Sequence, residues 1–371
     1  MTTAYRTPWP GSPLRRDDEL TVRHMPRRAG EPEAGHGDDD WGARLEAAVA
    51  AADAPDAVFA VSHRGRRIVR TGGTAPPPHR PRDAVRYEIG SATKAFTGLL
   101  MADLVERGML TGGEPAAHLL DPTRPPDPAP VTLAHLITHT AGLPALPPDF
   151  YVRALPAWRT NPYARYSGER VVTAFLRGRP RHRPGTRWCY SNFGVAVLGH
   201  ALAAATETTW QDLVATRLLE PLGLQGTALR PDDVGPDAVG HGRNGAEVPA
   251  FDAGGFQAAG AVRATPHDLL TFLEAHLDPS RAPALAPALH AVRTPVLRRG
   301  FKHRHVHTIA WFRHPTGGGP LYFHSGATLG QQAFLGFRPD TGTAIAAACT
   351  RRFRSGDPFV AAAYALLADE Q

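Results

Sequence analysis

The fold of this chain is decided by YEIGSATK, residues 87–94, in which Ser91 is followed three positions later by Lys94. Lysine is rare in this sequence, because Lys94 and Lys302 are the two lysines among 41 Lys and Arg residues. In a chain of this length and composition, a Ser-x-x-Lys sequence is expected ~0.04 times by chance. Arginine keeps its proton near neutral pH, whereas a buried lysine can lose it. The spacing therefore indicates chemistry rather than accident.

The residues after Ser91 have the pattern of a helix that Gly108 ends. A serine at a helix start has its hydroxyl beside free backbone N–H groups and the positive end of the helix dipole. Lys94 then lies on the same helix face, within hydrogen-bonding reach of that hydroxyl. Burial and the dipole both disfavour the ammonium form, so Lys94 is a candidate base that activates Ser91. The alternative is a helix-capping serine beside a solvated lysine.

Bulk properties exclude several classes of protein. The 371 residues and 42% hydrophobic content suit one large domain or two. A net charge of +6 invites nucleic-acid binding, but the arginines are scattered and no zinc-finger, RRM-like or helix-turn-helix signature is present, so we expect no nucleic-acid partner. Cys189 and Cys349 lie far apart without metal-ligand spacing, which predicts neither a disulfide scaffold nor a metal site. No stretch reaches the ~20 apolar residues of a membrane span, and no signal-peptide pattern opens the sequence, so we expect no membrane partner and a cytoplasmic location.

The hydrophobic pattern changes along the chain. Both ends combine strands with a helix, and the polar, proline-rich middle is mainly helical. The end segments predict helices over Trp41–Ala52 and Pro358–Leu367, and strands over Ala57–Ser62, Arg67–Thr71, Val306–Phe312, Leu321–His324, Gln332–Phe337 and Thr343–Thr350.

These elements predict an α/β (α+β) fold, with an antiparallel sheet flanked by helices and an inserted helical domain. Residues 39–115 and 250–371 form the predicted sheet domain, and residues 116–249 the mainly helical domain. Residues 1–38 are rich in Pro, Arg, Asp and Gly without periodicity, and are predicted to be a disordered tail.

Three further stretches follow the Ser-x-x-Lys motif in order: VTLAHLITHTAGLP at 131–144, PGTRWCYSN at 184–192 and HSG at 324–326. With them the chain resembles, over about residues 41–367, the penicillin-recognising serine enzymes, which comprise class C β-lactamases, D-Ala-D-Ala carboxypeptidases and related esterases. The resemblance implies a β-lactamase/transpeptidase-like fold and a small-molecule ester, amide or lactam substrate. We expect no cofactor, and the oligomeric state stays open.

The resemblance also implies roles for individual residues. Tyr190 would move protons beside Ser91 and Lys94, and a nearby ammonium would be needed to favour its phenolate. Asn192 would hydrogen-bond Lys94 and the substrate. The backbone N–H groups of Ser91 and Ala327 would form the oxyanion hole, which stabilises a tetrahedral intermediate without reorganisation.

The motif formed by His324, Ser325 and Gly326 would contribute to substrate binding together with Asn192. His324 stands where many lactamases have a lysine that helps to hold the substrate carboxylate. A histidine of ordinary pKa is mostly neutral at pH 7, so its hold on a carboxylate is weaker. This departure favours a peptidase or esterase over an efficient β-lactamase.

Two groups of histidines resemble metal sites but are interpreted otherwise. His135 and His139 have i, i+4 spacing, but the Glu of a His-Glu-x-x-His motif is missing. His303, His305 and His307 alternate along a predicted strand and suit a solvated strand face. We therefore expect no metal.

The leading hypothesis is a serine hydrolase that forms a covalent acyl-enzyme. One alternative is a cytoplasmic transacylase that passes the acyl group to an amine or alcohol in natural-product biosynthesis. A non-catalytic ligand-binding sensor is the alternative from another class, and the intact Ser91, Lys94 and Tyr190 argue against it.

Overall fold

The computed structural model describes residues 40–76, 80–157, 160–231, 233–300 and 305–369. The predicted tail at 1–38 and Lys302 lie outside these residues.

Thirteen helices are described, α1 to α13 in chain order: Trp41–Ala51, Thr93–Glu106, Ala116–Leu120, Leu133–Ile137, Phe150–Ala154, Gly168–Arg177, Asn192–Ala205, Trp210–Val214, Glu220–Leu222, Gln257–Gly260, Pro266–Leu277, Ala286–Ala291 and Pro358–Ala368. Thirteen strands are described, β1 to β13: Ala57–His63, Arg66–Gly72, Tyr87–Glu88, Thr227–Ala228, Gly240–His241, Glu247–Val248, Arg263–Ala264, Leu297–Arg299, His305–His307, Phe312–Pro315, Pro320–Ala327, Gln332–Arg338 and Thr343–Cys349.

Eight strands form one sheet in the order β2-β1-β13-β12-β11-β10-β9-β8. Every neighbouring pair is antiparallel, so the N-terminal hairpin β1–β2 lies beside the last strand of the chain. The predicted α/β (α+β) class with an antiparallel sheet is confirmed. The division into domains at 115 and 250 stays a prediction.

Helices cover both faces of the sheet. The terminal helices α1 and α13 pack on one face, and α11 packs on the other against β1, β12 and β13. Strands β12 and β13 are buried at every position, as expected for strands covered on both sides. Both terminal helices occur where the sequence predicted them.

Helix α2, which follows Ser91, lies inside the molecule. Its residues from Thr93 to Val105 are all buried, and it contacts α7, α8, α10 and α12. A helix that is apolar around its whole circumference belongs in a core. The first turn of this rigid helix therefore provides a fixed base for a side chain.

The single strand predicted over Val306–Phe312 is wrong. The structure has two strands there, β9 and β10, joined by a turn. The Thr308 hydroxyl accepts hydrogen bonds from the N–H groups of Ala310 and Trp311, at 3.3 and 2.9 Å. Such a side-chain-to-backbone turn competes with a strand ladder. The turn packs on α2, where Gly98 leaves room for Ala310.

Candidate active site

Ser91 lies in a 3-10 turn, Gly90–Ala92, that leads directly into α2. The first N–H groups of a helix have no partner within the helix. Gly90 has φ +49°, a left-handed conformation that suits glycine. The serine hydroxyl is thus held at the start of a buried helix by a backbone bend that few other residues would accept.

Lys94 lies one turn further along and is buried, with 2% of its surface exposed. Its Nζ donates hydrogen bonds to Ser91 Oγ at 3.0 Å, to Asn192 Oδ1 at 2.8 Å and to the Ala259 carbonyl at 2.9 Å. Burial lowers the pKa of Lys94 from 10.5 to about 7. No carboxylate pairs with this amine among the residues that the structure describes.

These contacts define what the amine can do. An ammonium has three protons and can make all three hydrogen bonds, whereas a neutral amine has two protons and one lone pair. When Lys94 is neutral, two protons suffice for Asn192 and Ala259, and the lone pair can accept from the Ser91 hydroxyl. That arrangement is the one needed by a general base for a serine nucleophile.

Tyr190 lies close to both Ser91 and Lys94. Its ring centre is 5.0 Å from Lys94 Nζ. Burial raises the pKa of Tyr190 further above its usual 10, and its hydrogen bond with the Ser91 side chain opposes that shift. The neutral phenol is therefore the form present near pH 7, and it can pass a proton by accepting one while it donates another.

Asn192 is the first residue of α7 and follows the helix cap Ser191, whose hydroxyl accepts from Gly194 N–H at 2.8 Å. Its Oδ1 faces Lys94, and its side chain also hydrogen-bonds the hydroxyl of Tyr163. Two phenols and one amide thus surround the Ser91–Lys94 pair. Tyr163 carried no motif in the sequence, so it was missed there.

The end of β11 approaches the nucleophile closely. A Cβ added to Gly326 would lie 1.9 Å from the Ile89 carbonyl oxygen and 2.6 Å from Ser91 N. Gly90 makes the reverse contact, since a Cβ there would lie 2.5 Å from the Ala327 carbonyl oxygen. Two glycines therefore bring the backbone of Ser91 and Ala327 together, as a two-donor oxyanion hole requires.

The position of His324 does not suit contact with a substrate in front of Ser91. It is 4% exposed, and its Nδ1 lies 2.8 Å from the Ser325 carbonyl oxygen. Burial, with a further contribution from Lys94, lowers the pKa of His324 to about 3, so its ring is neutral. It lines a small cavity of about 20 Å³ beside Lys94 and His139.

A larger cavity of about 270 Å³ opens in front of Ser91. Ala327 and Asn192 contribute to its lining, whereas His324, Ser325 and Gly326 do not. Most of the remaining wall is apolar and includes four aromatic rings, from Phe150, Tyr163, Phe251 and Phe256. The cavity thus offers an apolar space next to the hydroxyl.

A buried carboxylate that the sequence analysis missed connects two segments of the cavity wall. Glu88, 5% exposed, accepts from Phe251 N–H at 2.6 Å and from the Thr328 hydroxyl. Its own N–H donates to the side chain of Gln331 at 3.0 Å. Phe251 and Thr328 both line the cavity, so Glu88 ties together two segments about 80 residues apart.

One histidine of each group, His135 and His307, has a structural contact. His135 caps its own helix, with Nδ1 accepting from Thr132 N–H at 3.3 Å. The solvated strand face predicted for the other group is wrong at His307, which is buried and whose Nε2 accepts from the Arg299 guanidinium at 2.8 Å. His303 lies outside the described residues. In the described part of the chain, no three His, Cys, Asp or Glu side chains are grouped as metal ligands would be.

Comparison with known proteins adds to this geometry. Residues 42–370 match the beta-lactamase family profile. The chain belongs to the beta-lactamase family. The predicted resemblance is thereby confirmed, and members of this family are serine hydrolases. No described helix combines the length and apolar character needed to cross a membrane.

Several relatives show how far the family likeness extends. Penicillin-binding protein 4 of Amycolatopsis lactamdurans is 27% identical over 288 residues, which cover 70% of this chain and 71% of that protein. The D-alanyl-D-alanine-carboxypeptidase/endopeptidase AmpH of Escherichia coli (strain K12) is 27% identical over 57% of this chain and 55% of its own length. The chain therefore spans only about half of some curated relatives that it matches.

The crystal structure of a class C beta lactamase from Rhodobacter sphaeroides superimposes with a TM-score of 0.71. The superposition covers 88% of this chain and 97% of that one, at 23% sequence identity. This likeness shows a shared fold.

Proposed function

We propose that this beta-lactamase family protein is a serine hydrolase that cleaves small esters or amides through an acyl-enzyme on Ser91. The observation that carries the proposal is the 3.0 Å contact between Ser91 Oγ and the buried amine of Lys94, whose pKa is lowered to about 7. A base that is half neutral at pH 7 suits proton transfer at physiological pH.

In the proposed reaction, the Ser91 hydroxyl attacks the substrate carbonyl carbon and its proton passes to neutral Lys94. The backbone N–H groups of Ser91 and Ala327 stabilise the oxyanion of the tetrahedral intermediate. Tyr190 accepts the proton from Lys94 and delivers its own to the leaving group, so that the leaving group departs neutral. Water then attacks the acyl-enzyme by the reverse proton path and releases the acid.

Acyl transfer to an amine or alcohol is the second candidate. It is supported by the rings of Phe150, Phe251 and Phe256 in the cavity wall, which offer no hydrogen bond to hold a hydrolytic water. An organic amine or alcohol that buries its own apolar surface there would compete with water for the acyl-enzyme.

Labelling of the purified protein with a fluorophosphonate and with nitrocefin, followed by peptide mass spectrometry, tests the proposal. We expect an adduct on Ser91 that is absent from Ser91→Ala, and no change in Ser355→Ala, whose serine is exposed. A folded wild-type protein without any Ser91 adduct would refute catalysis and support the ligand-binding sensor.

Turnover of p-nitrophenyl esters, nitrocefin and D-Ala peptides, each with and without added amine, distinguishes hydrolysis from acyl transfer. Free acid as the product despite added amine indicates hydrolysis. An amide product that grows with amine concentration indicates transfer.

A further inference from the structure

A third cavity, of about 400 Å³, lies among helices α7, α8 and α10 and is larger than the cavity in front of Ser91. The two cavities share no lining residue in the described part of the chain. We call the third one the helical cavity. Its walls include Ala196, Gly199 and His200 of α7, Trp210 of α8, and Gln257 and Ala258 of α10.

The helical cavity is uncharged near pH 7. No Asp, Glu, Lys or Arg side chain lines it among the residues that the structure describes. Burial lowers the pKa of His200 below its ordinary value, so its ring is neutral, and Gln211 and Gln257 add neutral amides. An ion that entered this space would lose its hydration without meeting an opposite charge. The cavity therefore suits a neutral ligand.

Trp210 supplies a hydrogen-bond donor that the described residues leave unused. The side chain is 4% exposed, and its Nε1 is buried without an acceptor. A Cβ added to Gly199 would lie 3.5 Å from Cδ1, the atom bonded to Nε1, so this edge of the ring faces a residue that lines the cavity. A buried N–H without an acceptor costs free energy, which a ligand oxygen would recover. Trp311 Nε1 also lacks an acceptor, but the cavity beside it, of about 20 Å³, has room for one water.

His200 supplies the complementary acceptor. Its Nε2 lies 2.9 Å from the Gly255 carbonyl oxygen. Because a carbonyl oxygen only accepts, Nε2 carries the proton of the neutral ring and Nδ1 is an acceptor. Within the described residues Nδ1 makes no hydrogen bond. A donor on α8 and an acceptor on α7 thus accompany the apolar surface of Ala196 and Ala258.

The two helices that line the helical cavity also hold Lys94. Asn192, the first residue of α7, accepts from Lys94 Nζ through Oδ1 at 2.8 Å, and Ala259 of α10 accepts through its carbonyl at 2.9 Å. Ala258 directly precedes Ala259, and its own carbonyl accepts from the Thr97 hydroxyl of α2 at 2.7 Å. A ligand that moves or fixes α10 therefore acts on the hydrogen bonds of Lys94.

We propose that the helical cavity is a second ligand site, which takes a small neutral carboxamide with an aromatic or aliphatic substituent and acts on the Ser91–Lys94 pair through α7 and α10. The amide oxygen would accept from Trp210 Nε1, and the amide N–H would donate to His200 Nδ1. The substituent would cover Ala196 and Ala258. This inference goes beyond the proposed function, because binding at this site needs no turnover.

Benzamide and benzoate form a matched pair of probes, since they share one shape and differ in charge. The assay uses the full chain with ¹⁵N-labelled tryptophan, and the loss of one indole signal in Trp210→Phe identifies that of Trp210. We expect benzamide to shift this signal saturably, with a dissociation constant of about 1 mM, as for a fragment of this size. Benzoate should bind at least about 10-fold more weakly, because no cation meets its carboxylate.

Calorimetric titration of variants locates the contact. Trp210→Phe removes the donor and should weaken benzamide binding about 3- to 10-fold, as for loss of one neutral hydrogen bond. Trp41→Phe is the matched control, because Trp41 is also 4% exposed but lies on α1, so its affinity should equal that of wild type. Thr208→Trp places bulk at the exposed opening of the helical cavity and should abolish the shift of the Trp210 signal.

The effect on the active site is measured as the rate of Ser91 labelling by a fluorophosphonate. Saturating benzamide should change the wild-type rate at least about twofold and leave the rate of Thr208→Trp unchanged. An equal effect in both proteins would place benzamide in front of Ser91 and overturn the proposed coupling, as would an unchanged wild-type rate.

Three results would overturn the site itself: no saturable shift of the Trp210 signal up to about 10 mM benzamide, equal affinity for benzamide and benzoate, or wild-type affinity in Trp210→Phe. Failure of the proposed function has a different signature, namely a folded protein without any Ser91 adduct.

Discussion

Asn192→Asp gives the sharpest test of how Lys94 works. The substitution places a carboxylate oxygen where Asn192 Oδ1 now lies, 2.8 Å from Lys94 Nζ. An opposite charge at such a distance favours the charged form and raises a lysine pKa by about 1–3 units. Starting from about 7, the pKa of Lys94 would become about 8–10.

The rate at pH 7 follows from the fraction of neutral amine. With a pKa of about 7, half of the Lys94 amines are neutral at pH 7, and with a pKa of 8–10 that fraction falls to roughly 9–0.1%. Acylation of Ser91 at pH 7 should therefore be about 5- to 500-fold slower in Asn192→Asp. Above the new pKa the rate should approach that of wild type, because the amine is neutral again.

The assay is single-turnover labelling of Ser91 by a fluorophosphonate, quantified by mass spectrometry between pH 5 and 11. The wild-type labelling rate should rise with pH, with a midpoint near 7, and then level off. The reason is that attack by Ser91 requires the neutral amine of Lys94. Asn192→Ala is the control: it should react more slowly without an upward shift of the midpoint. An Asn192→Asp profile whose midpoint equals that of wild type would refute the role of Lys94 as base.

Three further changes probe the surroundings of the site. Gly326→Ala should reduce acylation at least 100-fold, because its Cβ would displace the backbone near Ser91 N, which lies 2.6 Å away; labelling rates check this. Glu88→Ala should lower the free energy of unfolding by about 2–4 kcal/mol, measured by urea denaturation, since it leaves the Thr328 hydroxyl and a buried N–H without an acceptor. His324→Lys should lower stability by about 2–4 kcal/mol and shift the acylation midpoint to lower pH, because it buries a second ammonium near Lys94.

Matched variants serve as controls for these changes. Gly317→Ala adds a methyl group at an exposed position with no atom within 4 Å, so rate and stability should stay at wild-type values. Glu46→Ala removes an exposed carboxylate that pairs with Arg70, and should change stability by less than about 0.5 kcal/mol. Gly326→Ala with unchanged labelling, Glu88→Ala with the stability of Glu46→Ala, or His324→Lys with an unchanged midpoint would each contradict the corresponding prediction.

The sequence predicted best what depends on local spacing. Ser91 and Lys94 are one helical turn apart, so a helix start in the sequence was enough to bring their side chains together. The terminal helices and the strands β12 and β13 follow from hydrophobic runs that the sheet buries. The strand predicted over Val306–Phe312 failed because one hydroxyl, that of Thr308, bends the chain within an apolar run.

What the sequence could not show depends on contacts between distant segments. Glu88 and Thr328 are 240 residues apart, and no periodicity links them. The partners of Asn192, on α2 and in the loop that contains Tyr163, likewise come together only through the packing of α7. The burial of His324 was missed because an alternating strand pattern gives the face on which a residue lies, but not what covers that face.

The central claim is that Lys94 loses its proton near neutral pH, and the composition of the chain makes a direct measurement feasible. Labelling with lysine that carries ¹³C at Cε gives two signals, from Lys94 and Lys302, and Lys302→Arg leaves that of Lys94 alone. We expect the remaining signal to titrate with a midpoint near 7. A midpoint near the ordinary lysine value of about 10.4 in the folded protein would contradict the account.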